Sequence, residues 1–244
     1  MEINCDLGEY QRLSEAHKDA DIMPYIHACN IACGGHAGNS ETMHHTVKMA
    51  LEKNITVGAH PSYPDQANFG RRSMPMDESQ LYSVLMEQIS NLKSIADHQG
   101  AELHHVKPHG ALYNDAAVDP GIAQVIVAVI TEFGFKLYGQ AHSVLADAAR
   151  SSGVDFVAEG FVDRRYSDRH RLVPRTQPGA LIESVSAQMQ QAQSLIEDRG
   201  LNNQAGQWLH IDCDTLCLHG DHAGALETAK ALHELVTRLE QTAS

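Results

Sequence analysis

HHVKPHGALYN, His104 to Asn114, opens as a short strand and ends on a cluster of chemistry, with Lys107, Pro108, His109 and Gly110 following one another directly. A loop that only turns the chain needs the proline and the glycine. It has no use for a lysine and a histidine beside them. Across Pro108 the backbone stays extended, so the Lys107 and His109 side chains are expected on the same side. A short apolar strand that delivers ionisable groups at its carboxyl end is what a parallel β/α fold requires, whether a closed barrel or an open sheet.

The pattern repeats outward from this stretch. Candidate strands at Glu2–Cys5, Ala28–Ala32, Ile55–Ala59, Leu103–Val106, Lys136–Tyr138, Asp155–Ala158 and Thr215–Leu218 alternate with helical spacings. The helices are expected at Glu41–Lys53, Asp77–Gln99, Pro120–Glu132, Ser143–Ser151, Gly179–Asp198 and His222–Glu240. In Asp77–Gln99, the residues Leu81, Val84, Leu85, Ile89, Leu92 and Ile95 fall at i, i+3, i+4, one buried face of a surface helix. Strand–helix alternation predicts a parallel sheet with helical crossovers. With no linker, repeat or low-complexity tract in sight, residues 1–244 read as one domain.

The residues just after each strand are polar. In order these are Asp6-Leu-Gly-Glu9, Cys33-Gly-Gly-His36, His60-Pro-Ser-Tyr63, Lys107-Pro-His109-Gly110, Gly139-Gln140-Ala-His142, Glu159 with Asp163-Arg164, and His219-Gly220-Asp221. Glycines among them permit tight turns and close backbone approach. Each cluster alone is weak evidence; together they describe the rim of an active site.

Composition narrows the partners. A hydrophobic fraction of 43% supports a substantial core, and a net charge of −13 argues against nucleic acid or an anionic membrane surface. No apolar run approaches the ~18–20 residues of a membrane span, and the start MEINCDLGEY does not read as a signal peptide. Five cysteines without regular spacing fit a reducing compartment, so a cytoplasmic location is expected. GxxxxGK[ST], GxGxxG after a strand, GxSxG and CxxC are all missing, which leaves no familiar nucleotide loop, serine nucleophile or zinc knuckle.

The candidate groups carry more than one reading. Asp6 and Glu9 suit a general base or a metal ligand, against a solvated turn. His36 and His60 suit acid–base chemistry or, with a carboxylate, a divalent metal, whereas His17, His44, His45, His98 and His170 read as structural. Lys107 suits an anion or a developing oxyanion, and an ion pair with Asp6 or Glu9 is compatible with that role. Asp221 reads as an N-cap of the last helix. The Asp163–Arg175 segment, with five arginines, reads as a solvated loop or as a lid that clamps an anion.

INCDLGE, NIACGGHAG, GAHPSYPD, FGRR, HVKPHGALYN, FVDRRY and CLHGD resemble, in order and over nearly the whole chain, the motifs of the LamB/YcsF family. The resemblance implies a distorted seven-stranded, TIM-like β/α barrel similar to the glycoside hydrolase/deacetylase fold. It implies a cyclic amide hydrolase that converts 5-oxo-L-proline to L-glutamate with hydrolysis of ATP. Two further subunits, B and C, are implied as partners, with ATP bound here or on one of them, and self-association into a homo-oligomer is compatible with this. Under it, Asp6 or Glu9 serves as base, and His36 and His60 as acid–base groups. Lys107 stabilises the oxyanion or phosphate and is positioned by His109. Arg71, Arg72 or Arg164 holds the substrate carboxylate, and Tyr113, Asn114, His219 and Asp221 complete the substrate site. The fold likeness places a metal at Asp6, His36 and His60. Two positions depart from the usual family form, Gly35 for an aromatic and Asn39 for an aspartate. A stand-alone metal-dependent amide or carbohydrate deacetylase, and a non-catalytic subunit that binds a small acid, are the competing functions.

Overall fold

A computed structural model describes residues 1–167, 169–222 and 224–243. Its centre is a closed barrel of parallel strands in the order β1 (Glu2–Leu7), β2 (Ala28–Ala32), β3 (Thr56–His60), β4 (Leu103–Val106), β5 (Lys136–Gln140), β6 (Phe156–Phe161) and β9 (Thr215–His219). The seven-stranded barrel implied by the resemblance is the one observed. β1 closes it by pairing with β9 on one side and β2 on the other, with Asp6 opposite His219 and Asn30.

Each expected strand is present, and most run one to three residues further toward the polar end than the apolar signal extends. Backbone pairing continues beyond the last apolar side chain, so Asp6, His60, Gln140 and His219 belong to strands. That fixes their direction far better than a loop would.

Around the barrel lie α1 (His17–Ile22), α2 (Ser40–Glu52), α3 (Glu78–His98), α4 (Gly110–Ala116), α5 (Pro120–Phe133), α6 (Val144–Ser151), α7 (Val185–Glu197) and α8 (Ala225–Ala243). The α3 face that packs on the barrel carries Leu81, Leu85, Ile89 and Leu92, all buried. Asp77 and Asn39 begin α3 and α2 with reciprocal capping boxes. Asn39 therefore performs the cap that an aspartate would, since either side chain can accept from the backbone N–H three residues on.

Two expected helices start later in the structure. Residues 179–184 are not helical; Ile182 donates its N–H to the Asp163 carbonyl, and Ser184 caps α7. Ala180, Leu181 and Ile182 mimic a helical apolar run, but they serve a strand-like return that bridges Leu181 to Arg164. α8 begins at Ala225, so Asp221 is not its N-cap; the side chain is engaged elsewhere. Ala223 in the expected start of this helix, and Asp168 in the arginine-rich segment, lie outside the described residues. A short antiparallel hairpin, β7 (Gly200–Asn202) with β8 (Trp208–His210), precedes β9. No single helix among the described residues is long and apolar enough to cross a membrane.

The barrel interior is polar along its axis. Asn4 donates to Thr215 Oγ1 at 2.9 Å, and Asn30 donates to Asn4 Oδ1 and Asp6 Oδ1, both at 2.8 Å. His105 Nε2 meets Asn30 Oδ1 at 2.7 Å, and its ring stacks on Tyr138 with centroids 4.0 Å apart. These groups are fully or almost fully buried. Their mutual hydrogen bonds offset the desolvation that would otherwise make them costly. The stack forms a floor beneath the carboxyl ends of the strands.

Candidate active site

At the mouth, a cavity of about 240 Å³ opens over that floor, lined among others by Asp6, Glu9, His60, Lys107, His109, Tyr113, Arg164 and His219. Chain positions from 6 to 219 meet here because they end or follow five of the barrel strands, β1, β3, β4, β6 and β9.

Lys107 is the centre of the floor. Its Nζ lies 2.9 Å from Asp6 Oδ1 and 2.9 Å from Glu159 Oε1, with the side chain only 2% exposed. It also lies 3.0 Å from Cys217 Sγ and 3.3 Å from Asn4 Oδ1. Burial opposes the ammonium, but Asp6 foremost outweighs it and holds Lys107 above the usual lysine range. Burial likewise raises the Asp6 carboxyl, while His60 and then Lys107 hold it well below the usual range. Tyr113 donates its hydroxyl to the other oxygen of Glu159 at 2.9 Å. The result is an ammonium fixed between two carboxylates, its direction set by four strands.

Beside it stands a second group. His60 Nδ1 lies 2.7 Å from the Lys107 carbonyl oxygen, and His109 Nε2 lies 2.9 Å from that of Phe69. The opposite ring nitrogens, His60 Nε2 and His109 Nδ1, face each other at 2.9 Å. Glu9 Oε1 is 3.0 Å from His36 Nε2, 3.3 Å from His109 Nδ1 and 3.9 Å from His60 Nε2. The His36 and His109 rings stack with centroids 3.6 Å apart, and Phe69 meets both edge-on. Burial pushes the imidazoles of His36 and His109 downward, favouring their neutral forms. Together Glu9, His36, His60 and His109 form a compact set of metal-ligating atoms. Glu9 and His109 stand in it where the fold likeness puts Asp6, whose oxygens face Lys107, Asn30 and His60.

Gly35 has a specific cause in this structure. A Cβ there would lie 2.5 Å from both Gln88 Oε1 and Ser62 Oγ. Gln88 uses that space to brace the loop after β3, accepting from the Ser62 N–H and donating to the Ser62 carbonyl. The ring packing against His36 comes instead from Phe69.

The rim is cationic. Arg71 and Arg175 both line the cavity and approach Asp221 Oδ2, at 2.6 and 3.7 Å. Arg164 is buried, donates to the Val173 carbonyl at 2.7 Å, and keeps a buried Nε without a hydrogen-bond partner among the described residues. Burial lowers its guanidinium to about 10. His219 Nδ1 lies 2.8 Å from Asp163 Oδ2. Asn114 lines the cavity, while exposed Arg72 does not. Asp221 lies on the adjoining depression rather than on the main cavity.

The sequence places Glu159 on the strand-end rim without giving it a role, and it does not mark Cys217 or Arg175 as individual site residues. Glu159 is the one with a legible signal, an acid inside the otherwise apolar FVAEGF strand. An acid buried in a strand needs a partner, but nothing in the sequence names Lys107 as that partner.

The family model described as the LamB/YcsF family matches residues 1–243. Similar curated proteins include the A subunit of 5-oxoprolinase from Chloroflexus aggregans, 42% identical over 234 residues, covering 95% of this chain and 93% of that protein. Its counterpart from Bordetella pertussis is 39% identical over 240 residues, covering 98% and 95%. The crystal structure of a lactam utilization protein from Thermus thermophilus superposes with a TM-score of 0.91 at 32% identity, covering 98% of this chain and 97% of that one.

Proposed function

Because the chain belongs to the LamB/YcsF family, we propose that it works as the A subunit of a 5-oxoprolinase, opening 5-oxo-L-proline to L-glutamate in the Lys107 cavity. The observation that carries this reading is the buried ammonium of Lys107 between Asp6 and Glu159 beneath an arginine-lined rim. A lactam carbonyl gains negative charge on oxygen when a nucleophile adds to its carbon. A fixed, desolvated cation is the group that stabilises such charge.

The substrate is a small anion. Its carboxylate is held by Arg164 and by Arg71 or Arg175 on entering, and its ring carbonyl reaches toward Lys107. Asp6 acts through Lys107: a carboxylate held so low is a weak base, and it serves to keep the ammonium charged and aimed. Glu159, steadied by Tyr113, does the same from the opposite side.

Opening an unstrained five-membered lactam is unfavourable near neutrality, which is why coupling to ATP is needed. Transfer of a phosphoryl group to the amide oxygen makes the carbon a better electrophile. One water then adds to that carbon from the side bearing Glu9, His36, His60 and His109. The C–N bond breaks as nitrogen takes a proton, and a second water releases phosphate from the carboxyl group. A divalent metal on those four residues would supply a more acidic water. Partner subunits B and C complete the assembly, and ATP is bound by one of them.

The test is glutamate release from 5-oxoproline, measured with and without ATP and with and without the partner subunits. Release is expected only with all components present. Lys107→Met should lower turnover by ~10²–10³ in a complex that still assembles. Near-normal turnover by that variant would remove Lys107 from its role. ATP-independent release of acetate or amine from simple amides would instead identify a stand-alone deacetylase. Tight 5-oxoproline binding without turnover in the full assembly would identify a binding subunit.

A further inference from the structure

We infer that Glu9, His36, His60 and His109 form a binding site for one divalent transition-metal ion of the zinc class, with Glu9 Oε1, His36 Nε2, His60 Nε2 and His109 Nδ1 as its ligands. The argument starts from two backbone carbonyls. A carbonyl oxygen only accepts. His60 Nδ1, 2.7 Å from the Lys107 carbonyl, and His109 Nε2, 2.9 Å from the Phe69 carbonyl, must therefore carry protons. With both rings neutral, His60 Nε2 and His109 Nδ1 are lone-pair nitrogens that point at each other across 2.9 Å. The position between them calls either for a proton, which Asp6 Oδ2 at 3.2 Å from His60 Nε2 would also share, or for a metal ion. Two lone pairs do not attract. A cation between them resolves the contact.

The rest of the set fits the same ion. Glu9 Oε1 stands 3.3 Å from His109 Nδ1 and 3.0 Å from His36 Nε2, and the four ligand atoms lie within 4.8 Å of one another. Bonds of about 2.0–2.1 Å in a tetrahedron put ligand atoms roughly 3.3–3.4 Å apart. The observed separations bracket that value. Three imidazoles and one carboxylate suit zinc, cobalt or a similar ion rather than calcium or magnesium, which favour all-oxygen shells. The carbonyl partners of His60 and His109 are the outer hydrogen bonds that orient imidazole ligands and fix their tautomers.

A second grouping, Asp6, Cys217 and His219, also brings ligand atoms within 4.8 Å of one another. There the cation is already supplied by the protein. Lys107 Nζ is 2.9 Å from Asp6 Oδ1 and 3.0 Å from Cys217 Sγ. Asp6 Oδ1 thus belongs to the ammonium; its Oδ2, 3.2 Å from His60 Nε2, borders the four-residue set that Glu9 completes.

The assignment is tested on binding alone, so its outcome is separate from that of the 5-oxoprolinase reading. The purified chain, without an affinity tag, is dialysed against zinc or cobalt and its metal content measured by mass spectrometry. One equivalent is expected, with the visible absorption of tetrahedral cobalt when Co(II) is used. Glu9→Gln and His109→Gln should each lower metal affinity at least tenfold while circular dichroism stays native, and Asp6→Asn should keep the full equivalent. A wild-type chain that retains no metal would overturn the proposal in favour of a shared proton between His60 and His109. Loss of metal in Asp6→Asn, with retention in both Gln variants, would also overturn it.

Discussion

At the scale of single residues, the site is organised by which charge meets which counter-charge. Asp163 shows the cost of such an arrangement. Its carboxylate is buried at the end of the barrel, lies 2.8 Å from His219 Nδ1 and accepts from the His219 N–H at 3.1 Å. Burial alone would raise this carboxyl, but His219 and then Arg175 bring it down to about 2. The folded value therefore lies below the unfolded one, about 3.9. Its contribution to stability is complete above that unfolded value and disappears as pH falls toward 2. A difference of this size corresponds to a contribution on the order of 2 kcal/mol. Asp163→Asn should accordingly be less stable than wild type near neutrality by urea denaturation. The gap should narrow steadily between about pH 5 and pH 2. A gap that stays constant over that range would show that the carboxylate charge does not contribute.

At the scale of elements, the helices and strands were largely readable, because apolar periodicity and the polar strand ends are local properties. β2 and β4 fall where the sequence puts them, and α3 differs by one residue at each end. The misreadings share a physical cause. Residues 179–184 bury Ala180 and Ile182 without being helical, and apolar spacing alone cannot tell a buried return segment from a helix turn. α1, α4 and the β7–β8 hairpin are too short to carry a period.

A feature of β3 that was not legible governs the floor of the site. The pairing of β3 with β4 shifts register between Val57 and Gly58, and a Cβ on Gly58 would collide with the His105 ring. The absent side chain is the space into which His105 extends to reach Asn30. Gly58→Ala should lower stability by about 1–3 kcal/mol, as over-packing in a rigid interior does. It should also disturb Lys107 from below. Equilibrium urea unfolding measures the first effect, and a stability within ~0.5 kcal/mol of wild type would mean that β3 and β4 can move apart freely.

At the scale of the whole molecule, fold and site depend on the same long-range closure. The strand-end pattern made Asp6, His60 and Lys107 legible as members of one rim. It could not show that Asp6 meets Lys107 with one oxygen and His60 with the other while Glu9 turns to His36 and His109, because ring orientation and carbonyl contacts arise only once the strands are side by side. The last strand makes this concrete. β9 lies between β6 and β1, pairing Glu159 with Thr215 and Asp6 with His219. It also brings Thr215 to Asn4 and Cys217 to Lys107, contacts that span more than a hundred positions of chain. Ending the chain after Asp214 would leave β1 and β6 with open edges, and unpaired edges in a parallel barrel recruit other chains. It would also remove α8, whose buried Ala229, Leu232, Leu235 and Val236 belong to the core. Such a truncated chain is expected to lose its cooperative thermal transition and to aggregate, as seen by circular dichroism and light scattering. A monomeric, cooperatively melting product would mean that the first six barrel strands form a stable open sheet, with Lys107 held by Asp6 and Glu159 alone.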